Sequence, residues 1–297
     1  MLVRRTDLAL EARALCRVAG ELSGVVSHER VREGFPVTTV EITDGAGAKA
    51  LGKPVGRYVT LELDPLLRRD TGAFTRAVRA LSAELRGLLP GSPDGPALVV
   101  GLGNRAITPD LLGPLTLDHL LVTRHLVAAA SEYFGTYRPV AALSPGVLSA
   151  TGMESAEIAA AVSSSLNPSC VIAVDALASR GLARLCRTVQ LSDTGISPGS
   201  GVGNHRAALN RETLGVPVVS VGVPTVVDAA TLAMDLLEDA GESVPEPEAL
   251  AGQGADLFVT PREIDAQIAS LAKLLGYSLS MALNPHLTVE DLLALLE

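Results

Sequence analysis

Short apolar runs alternate with amphipathic stretches along most of the chain. Runs rich in Val, Leu and Ile predict buried strands at 97–103, 139–143, 170–177, 187–191 and 216–222. Apolar residues at helical spacing predict helices at 71–89, 109–130, 152–166 and 225–237. Because strands and helices alternate, the expected fold is α/β, with a mostly parallel sheet and helices on both faces.

Both ends of the chain depart from this alternation. Residues 37–63 contain two stretches of alternating polar and apolar residues, which predict a small N-terminal β-rich subregion or flap. The stretch 238–256 is rich in Gly, Pro and Glu and predicts a linker or loop. Residues 257–297 predict C-terminal helices, the first opened by a capping box at 260–263. We expect one domain over 1–297, with its core at 97–237.

Composition excludes several classes of protein. A net charge of −9 gives no long-range attraction to nucleic acid or to an anionic membrane surface. Aromatic residues make up only 3%, which disfavours a base-stacking surface. No apolar run approaches the ~18 residues of a membrane span. The three cysteines show no paired spacing, which favours a reducing, intracellular setting.

Two aspartates follow predicted parallel strands. Asp110 lies in the loop after the strand 97–103, and Asp175 ends the strand 171–175, within the apolar run 170–177. The carboxyl ends of parallel strands meet at one edge of a sheet, where ligands bind. Right-handed β-α-β connections therefore place both carboxylates in the same crevice or in neighbouring ones. Two carboxylates that share a proton can activate water and protonate a leaving group.

Each feature of this region also has an alternative interpretation. Asp110 could favour a helix start, where an acid contributes a few tenths to ~1 kcal/mol. Asp175 is harder to explain in this way, because an unpaired charge in an apolar run is costly. The stretch 101–106, GLGNRA, is similar to a dinucleotide-binding loop, but no acidic residue ends the next strand to hold a ribose.

A glycine-rich loop follows the predicted strand 187–191. Asp193 opens it and is expected at the same sheet edge as the other two aspartates. Its triplet, D-T-G, occurs in pepsin-like proteases, but those are all-β proteins and this chain alternates strand and helix. We expect Asp193 to shape this loop through hydrogen bonds from the backbone to its side chain, in a structural or substrate-positioning role. The loop, which contains Gly195, is either a turn or a place where a substrate backbone approaches closely. Asn104 is a further candidate for substrate contact.

Other catalytic motifs are missing from the sequence. The five histidines show no H-E-x-x-H spacing. Ser144 and Ser200 do not form a G-x-S-x-G elbow, and Cys170 opens a buried strand, as a core residue does. We therefore expect no metal and no cofactor, and no Ser, Cys or His beside the aspartates as a catalytic triad.

Long collinear blocks of the chain resemble the spore germination protease family. The blocks are RTDLALEA (5–12), GRYVTLEL (56–63), VVGLGNRAITPDLLGP (99–114), PGVLSATGMES (145–155), VIAVDALASR (171–180), SDTGISPGSGVGNHR (192–206), GVPTVVDA (222–229) and LFVTPREID (257–265). The resemblance implies an endopeptidase that initiates degradation of small acid-soluble spore proteins during germination. It also implies a zymogen, a homotetramer, and a place in the cytoplasm of the forespore and the spore core.

The resemblance also implies the chemistry. The family is regarded as atypical aspartic proteases, and its catalytic aspartates, in the T-P-D and D-A-L motifs, match Asp110 and Asp175. Its fold is held to be that of the hydrogenase maturation proteases, so a metal-dependent protease of that type remains an alternative. A non-catalytic scaffold that binds spore proteins is another.

The predicted surroundings of the two aspartates assign them different roles. Asp110, at a helix start, is expected to have a lowered pKa and to act as the base. Asp175, in an apolar run, is expected to have a raised pKa and to carry the proton.

Overall fold

The computed structural model describes residues 6–17, 22–91, 95–200, 206–242 and 257–296. Within these ranges, nine strands form one sheet in the order β1-β2-β3-β7-β8-β6-β4-β5, with β9 paired to β8. The strands are β1 (Val25–Arg32), β2 (Phe35–Ile42), β3 (Gly56–Glu62), β4 (Ala97–Gly101), β5 (Val140–Leu143), β6 (Cys170–Ser179), β7 (Thr188–Ser192), β8 (Val218–Asp228) and β9 (Phe258–Val259). The predicted α/β fold class is confirmed.

Helices connect and cover these strands. In the described part of the chain they are α1 (Ala9–Arg17), α2 (Gly45–Leu51), α3 (Asp64–Leu67), α4 (Ala73–Leu88), α5 (Leu112–Leu117), α6 (Arg124–Ala129), α7 (Ser131–Phe134), α8 (Leu148–Thr151), α9 (Ser155–Leu166), α10 (Arg211–Leu214), α11 (Ala229–Asp239), α12 (Ile264–Leu283) and α13 (Val289–Leu296). Two short 3₁₀ helices, Thr108–Asp110 and Leu182–Arg184, lie in loops.

The sheet is mixed, and its parallel part carries the aspartates. Strands β5, β4, β6 and β8 run parallel, as the alternation with helices predicts. Strand β7 runs antiparallel to β8 and to β3. The strands of the 37–63 subregion belong to this same sheet, because β3 pairs with β7 and β2 pairs with β3.

Two apolar layers cover the central strands. Alternate residues of β6 enter different core clusters, with Ile172 and Val174 in one and Val171 and Ala173 in the other. Helices α4, α5 and α12 pack on the first face, and α9 and α10 pack near the second. The sheet is therefore covered on both faces, as predicted.

The prediction of one helix over 109–130 is wrong. The segment is broken into a 3₁₀ turn, α5, α6 and α7. The break after α5 is stabilised by tertiary contacts, because Leu121 donates its backbone N–H to Ser280 Oγ at 3.0 Å. Thr123 Oγ1 likewise accepts from the N–H of Val140 at 2.9 Å. The apolar residues keep helical spacing across 109–130, but at the break after α5 the hydrogen bonds are made to other elements.

Three boundaries near the C-terminus also shift. Strand β8 continues to Asp228, so the helix predicted from 225 begins at Ala229. The predicted capping box does not form, since α12 begins at Ile264 and the Thr260 hydroxyl instead donates to the carbonyl of Thr225 at 2.8 Å. Most of the predicted linker, residues 243–256, lies outside the described residues. No described helix has the length and apolarity of a membrane span.

Candidate active site

The loop after β4 closes tightly around Asp110. The backbone N–H of Asn104 donates to Asp110 Oδ2 at 2.8 Å and to the Asp110 carbonyl at 3.1 Å. Gly103 has a φ of +126°, and a Cβ there would lie 1.9 Å from the Asp110 carbonyl oxygen. The glycine at this position is therefore required by the turn that holds the aspartate.

A second glycine brings the start of α5 against the parallel strands. A Cβ on Gly113 would lie 2.2 Å from the Leu102 carbonyl oxygen and 2.6 Å from that of Val174. Only a residue without a side chain allows this approach. As a result, the Asp110 turn sits directly beside the part of β6 that leads into Asp175.

Asp175 lies within β6, just beyond the end of β4. The last residue of β4, Gly101, pairs with Val174, and β6 continues to Ser179. Asp175 is only 5% exposed. Its Oδ1 accepts the backbone N–H of Ala176 at 2.9 Å. Beyond the end of β4, this section of β6 lines a cavity.

The two aspartates line the same cavity, as the topology predicted. It has a volume of about 400 Å³. Its walls are largely apolar, with Leu102, Ile107 and Phe258 among the lining residues. Such a cavity can take an apolar side chain next to the carboxylates.

Burial raises the pKa of both carboxyls. For Asp175, desolvation raises the pKa well above its usual value, and the negative charges of Asp110 and then Asp7 raise it further. For Asp110, burial raises the pKa to about 6, against the lowering effect of the Asn104 N–H. The expectation for Asp175 is confirmed, whereas the predicted lowering for Asp110 is wrong.

The reason lies in the local structure around Asp110. The residue ends the 3₁₀ helix Thr108–Asp110 and does not open α5. Its own N–H donates to the Ile107 carbonyl at 2.9 Å. The side chain therefore gains little from a helix N-terminus, and desolvation dominates.

Asp7 is a third carboxylate on this cavity, and no catalytic motif of the sequence points to it. It lines the same cavity as Asp110 and Asp175. Its Oδ2 accepts the N–H of Ala178 at 2.8 Å, three residues past Asp175. An isolated acid ahead of an amphipathic helix carries little signal, and its partner lies far along the chain.

An ion pair also lies on the cavity wall. Arg206 Nη1 is 3.5 Å from Glu154 Oε1, and both residues line the cavity. Both side chains are partly exposed, at 36% and 30%. An arginine and a carboxylate in this place can each contact a bound peptide.

The expected position of Asp193 is wrong. Because β7 runs antiparallel to β8, Ser192 pairs with Ser220 while Gln190 pairs with Gly222, and the chain leaves β7 away from the aspartate edge. Asp193 instead binds Arg57, accepting its backbone N–H at 2.8 Å and its Nε at 3.0 Å. This agrees with a structural role for the carboxylate.

Asn104 and Gly195, the other two residues expected near the substrate, lie beside this cavity. Asn104 supplies the backbone donor to Asp110, and its Oδ1 accepts the N–H of Ala106 at 2.9 Å. Gly195 lines a second, more polar cavity of about 180 Å³. The two cavities share lining residues, namely Asp7, Leu177 and Ser197.

Histidine and cysteine are not among the described residues that line the larger cavity. The hydroxyl residues there are Ser155, Ser197, Thr225 and Thr260. His205 lies outside the described residues. Across the part of the chain that the structure describes, no three His, Cys, Asp or Glu side chains are arranged to hold a metal ion.

Comparison with known proteins identifies the family of this chain. A family model described as germination protease matches residues 3–243. The chain belongs to the germination protease family. Its relatives include germination proteases from Caldanaerobacter subterraneus subsp. tengcongensis, 44% identical over 98% of both chains, and Clostridium perfringens, 42% identical over 97% of both. The germination protease of Priestia megaterium is 35% identical over 97% of this chain and 95% of its own.

Membership of the germination protease family establishes the class of reaction. The chain is an endopeptidase, and its substrates are proteins. Both aspartates and the glycines that position them lie inside the matched residues.

Proposed function

We propose that this endopeptidase initiates the degradation of small acid-soluble spore proteins during germination, with Asp110 and Asp175 activating the attacking water. The observation that carries the mechanism is that both carboxylates line one cavity and differ in burial. The substrate class rests on the resemblance of the sequence blocks and on the name of the relatives.

The differing burial of the two aspartates supports different roles. Asp110, with a pKa of about 6, is largely ionised at neutral pH and can take a proton from water. For Asp175, burial and then the neighbouring negative charges raise the pKa well above its usual value, which favours the protonated form needed by the acid. Its Oδ1 is engaged by Ala176, which leaves Oδ2 to carry that proton. Because the groups are coupled, any titration reports the pair.

The proposed reaction needs no covalent intermediate. Water loses a proton to Asp110 as its oxygen attacks the peptide carbonyl carbon. The proton on Asp175 passes to the carbonyl oxygen, which becomes a hydroxyl. Collapse of the tetrahedral intermediate breaks the C–N bond, and the amine leaves with the proton taken from water. The new carboxyl returns a proton to the pair.

The described residues fit this reaction better than a metal-dependent one. A catalytic zinc site needs three protein ligands around one ion, and no such group exists among the described side chains. Asp175 is also buried and bound to Ala176. The proposed mechanism therefore contains no metal-dependent step.

The assembly and the compartment belong to the same proposal. The resemblance supports a homotetramer that is made as a zymogen and acts in the cytoplasm of the forespore and the spore core. Size-exclusion chromatography with light scattering tests the assembly. A particle of four chains would support it, and a monomer that cleaves substrate at full rate would contradict it.

The substrate proposal is tested by incubating the protein with a purified small acid-soluble spore protein. Mass spectrometry should detect a few discrete fragments, and unfolded casein should be cleaved far more slowly. Asp175→Asn should yield no fragments, whereas Asp70→Asn, which removes an exposed carboxylate paired with Arg68, should cleave normally. Binding without fragments from the wild-type protein would favour the scaffold alternative, and equal cleavage of casein would contradict the substrate class.

A further inference from the structure

Asp7 has a hydrogen-bond partner on each of its four polar atoms. Its main-chain N–H donates to the Ala178 carbonyl at 2.9 Å, and its main-chain carbonyl accepts from Lys53 Nζ at 2.8 Å and from Gln190 Nε2 at 3.0 Å. Its Oδ2 accepts from the Ala178 N–H and its Oδ1 from Ser200 Oγ, each at 2.8 Å. An aspartate that binds so many elements has a fixed position.

This anchoring acts on β6 just past Asp175. Asp7 closes two hydrogen bonds with Ala178, on a section of β6 that extends beyond β4. The pairing of β6 with β8 shifts register between Leu177 and Ala178, so the strand is irregular there. Asp7 therefore adds two hydrogen bonds to the backbone that follows Asp175, at the point where the pairing of β6 with β8 is irregular.

Asp7 also contributes to the charge around the aspartate pair. The charged groups that line the cavity with Asp175 are Asp110 from the 3₁₀ turn, Asp7 from the N-terminal segment, and the Arg206–Glu154 pair. The Asp7 charge is one of two that oppose ionisation of Asp175, after its burial. Lys53 contacts the main chain of Asp7 and lies on the second cavity.

We propose that Asp7 is a positioning residue of this active site, which fixes the backbone after Asp175 and places a negative charge beside it. The inference rests on the proposed function of the aspartate pair and assigns Asp7 no direct contact with the reacting atoms. In this role, Asp7 keeps the proton on Asp175 over the pH range in which Asp110 has already lost its own.

The test is the pH dependence of kcat/KM for Asp7→Asn, with Asp7→Glu and Asp70→Asn as charge-retaining and charge-removing controls. Without the Asp7 charge, Asp175 ionises more readily, so the alkaline limb moves to lower pH. We expect the rate on that limb, relative to the rate at the optimum, to fall at least about threefold. Asp7→Glu should restore the wild-type limb, and Asp70→Asn should not move it.

A purely structural role would lower the rate by the same factor at every pH. An Asp7→Asn profile of wild-type shape therefore overturns the inference. If Asp7→Asn does not fold, as circular dichroism would show, Asp7→Ser takes its place with the same expected shift. Asp175→Asn distinguishes failure of the aspartate pair from failure of the role of Asp7. If Asp175→Asn cleaves normally, the aspartate pair is wrong. If Asp175→Asn is inactive and Asp7→Asn shows no shift of the alkaline limb, only the role of Asp7 is wrong.

Discussion

Asp110 and Asp175 line one cavity, although Asp110 lies in the loop after β4 and Asp175 lies within β6. The Asp110 turn approaches β6 because Gly113 carries no side chain, and Asp175 lies where β4 no longer covers β6. The two carboxyls therefore share a site but differ in burial, and each of these facts has measurable consequences.

The first consequence is a bell-shaped pH dependence of kcat/KM. The base must be ionised, so activity should rise with pH through about 6, the raised pKa of Asp110. The acid must be protonated, so activity should fall as pH rises through the raised pKa of Asp175. Initial rates on a fluorogenic peptide across the pH range provide the measurement. A profile with full activity at pH 4 would contradict these roles.

The second consequence concerns stability. Burial raises the folded-state pKa of Asp175 above its unfolded value of ~3.9. The stability linked to its neutral form is therefore present below pH ~4 and is lost as pH rises through the folded-state pKa. Asp175→Asn removes the free-energy cost of a buried charge at pH 8. Its free energy of unfolding at that pH should therefore exceed that of the wild type by on the order of 1 kcal/mol, and its Tm should be a few degrees higher.

That gain in Tm should shrink at pH 4, where the carboxyl is protonated in the folded state and about half protonated in the unfolded state. Thermal melts of Asp175→Asn and Asp70→Asn at the two pH values make the comparison. A loss of stability in Asp175→Asn at pH 8 would mean that its charge is stabilised by the fold, against the burial seen here.

A third prediction tests the close approach of α5. A Cβ on Gly113 would lie 2.2 Å from the Leu102 carbonyl oxygen, so Gly113→Ala should destabilise the protein by about 1–3 kcal/mol and lower activity by displacing the Asp110 turn. The matched control is Gly87→Ala, since a Cβ there meets no atom within 4 Å. It lies in α4 and should be neutral or stabilising by up to ~1 kcal/mol. Urea unfolding distinguishes the two, and equal stabilities would contradict the packing argument.

A fourth prediction separates Asp193 from the catalytic pair. Its carboxylate binds Arg57. Asp193→Asn should therefore lose on the order of 1 kcal/mol of stability and still cleave substrate. If Asp193→Asn were as inactive as Asp110→Asn while Asp175→Asn remained active, the second catalytic aspartate would have been assigned wrongly.

The position of Asp175 could be predicted because its environment is local in sequence. The apolar run predicts a buried strand, and burying an unpaired charge in such a strand is costly, so a functional role for the acid is favoured. Asp110 was placed correctly for a related reason, since its loop follows an apolar strand. Its pKa could not be predicted, because desolvation depends on α5 and β6, which only the folded chain brings together.

The position of Asp193 was predicted wrongly because β7 was taken as a parallel strand. An apolar run predicts a strand but does not give its direction in the sheet. However, only residues 180–187 connect β6 and β7, which is too short for the crossover of a dozen or more residues that parallel strands need. Asp7, by contrast, could not be predicted, because it binds Ala178, far from it in sequence.

The most direct test is the rate of spore-protein cleavage by Asp110→Asn and Asp175→Asn, measured beside the wild type after exhaustive chelation. The wild type should keep its activity in chelator, and each variant, folded by circular dichroism, should lose at least about 10³-fold. Either variant within about tenfold of the wild type would contradict the aspartate pair. Wild-type activity that vanished with chelator and returned with zinc would contradict it as well, in favour of a metal-dependent protease.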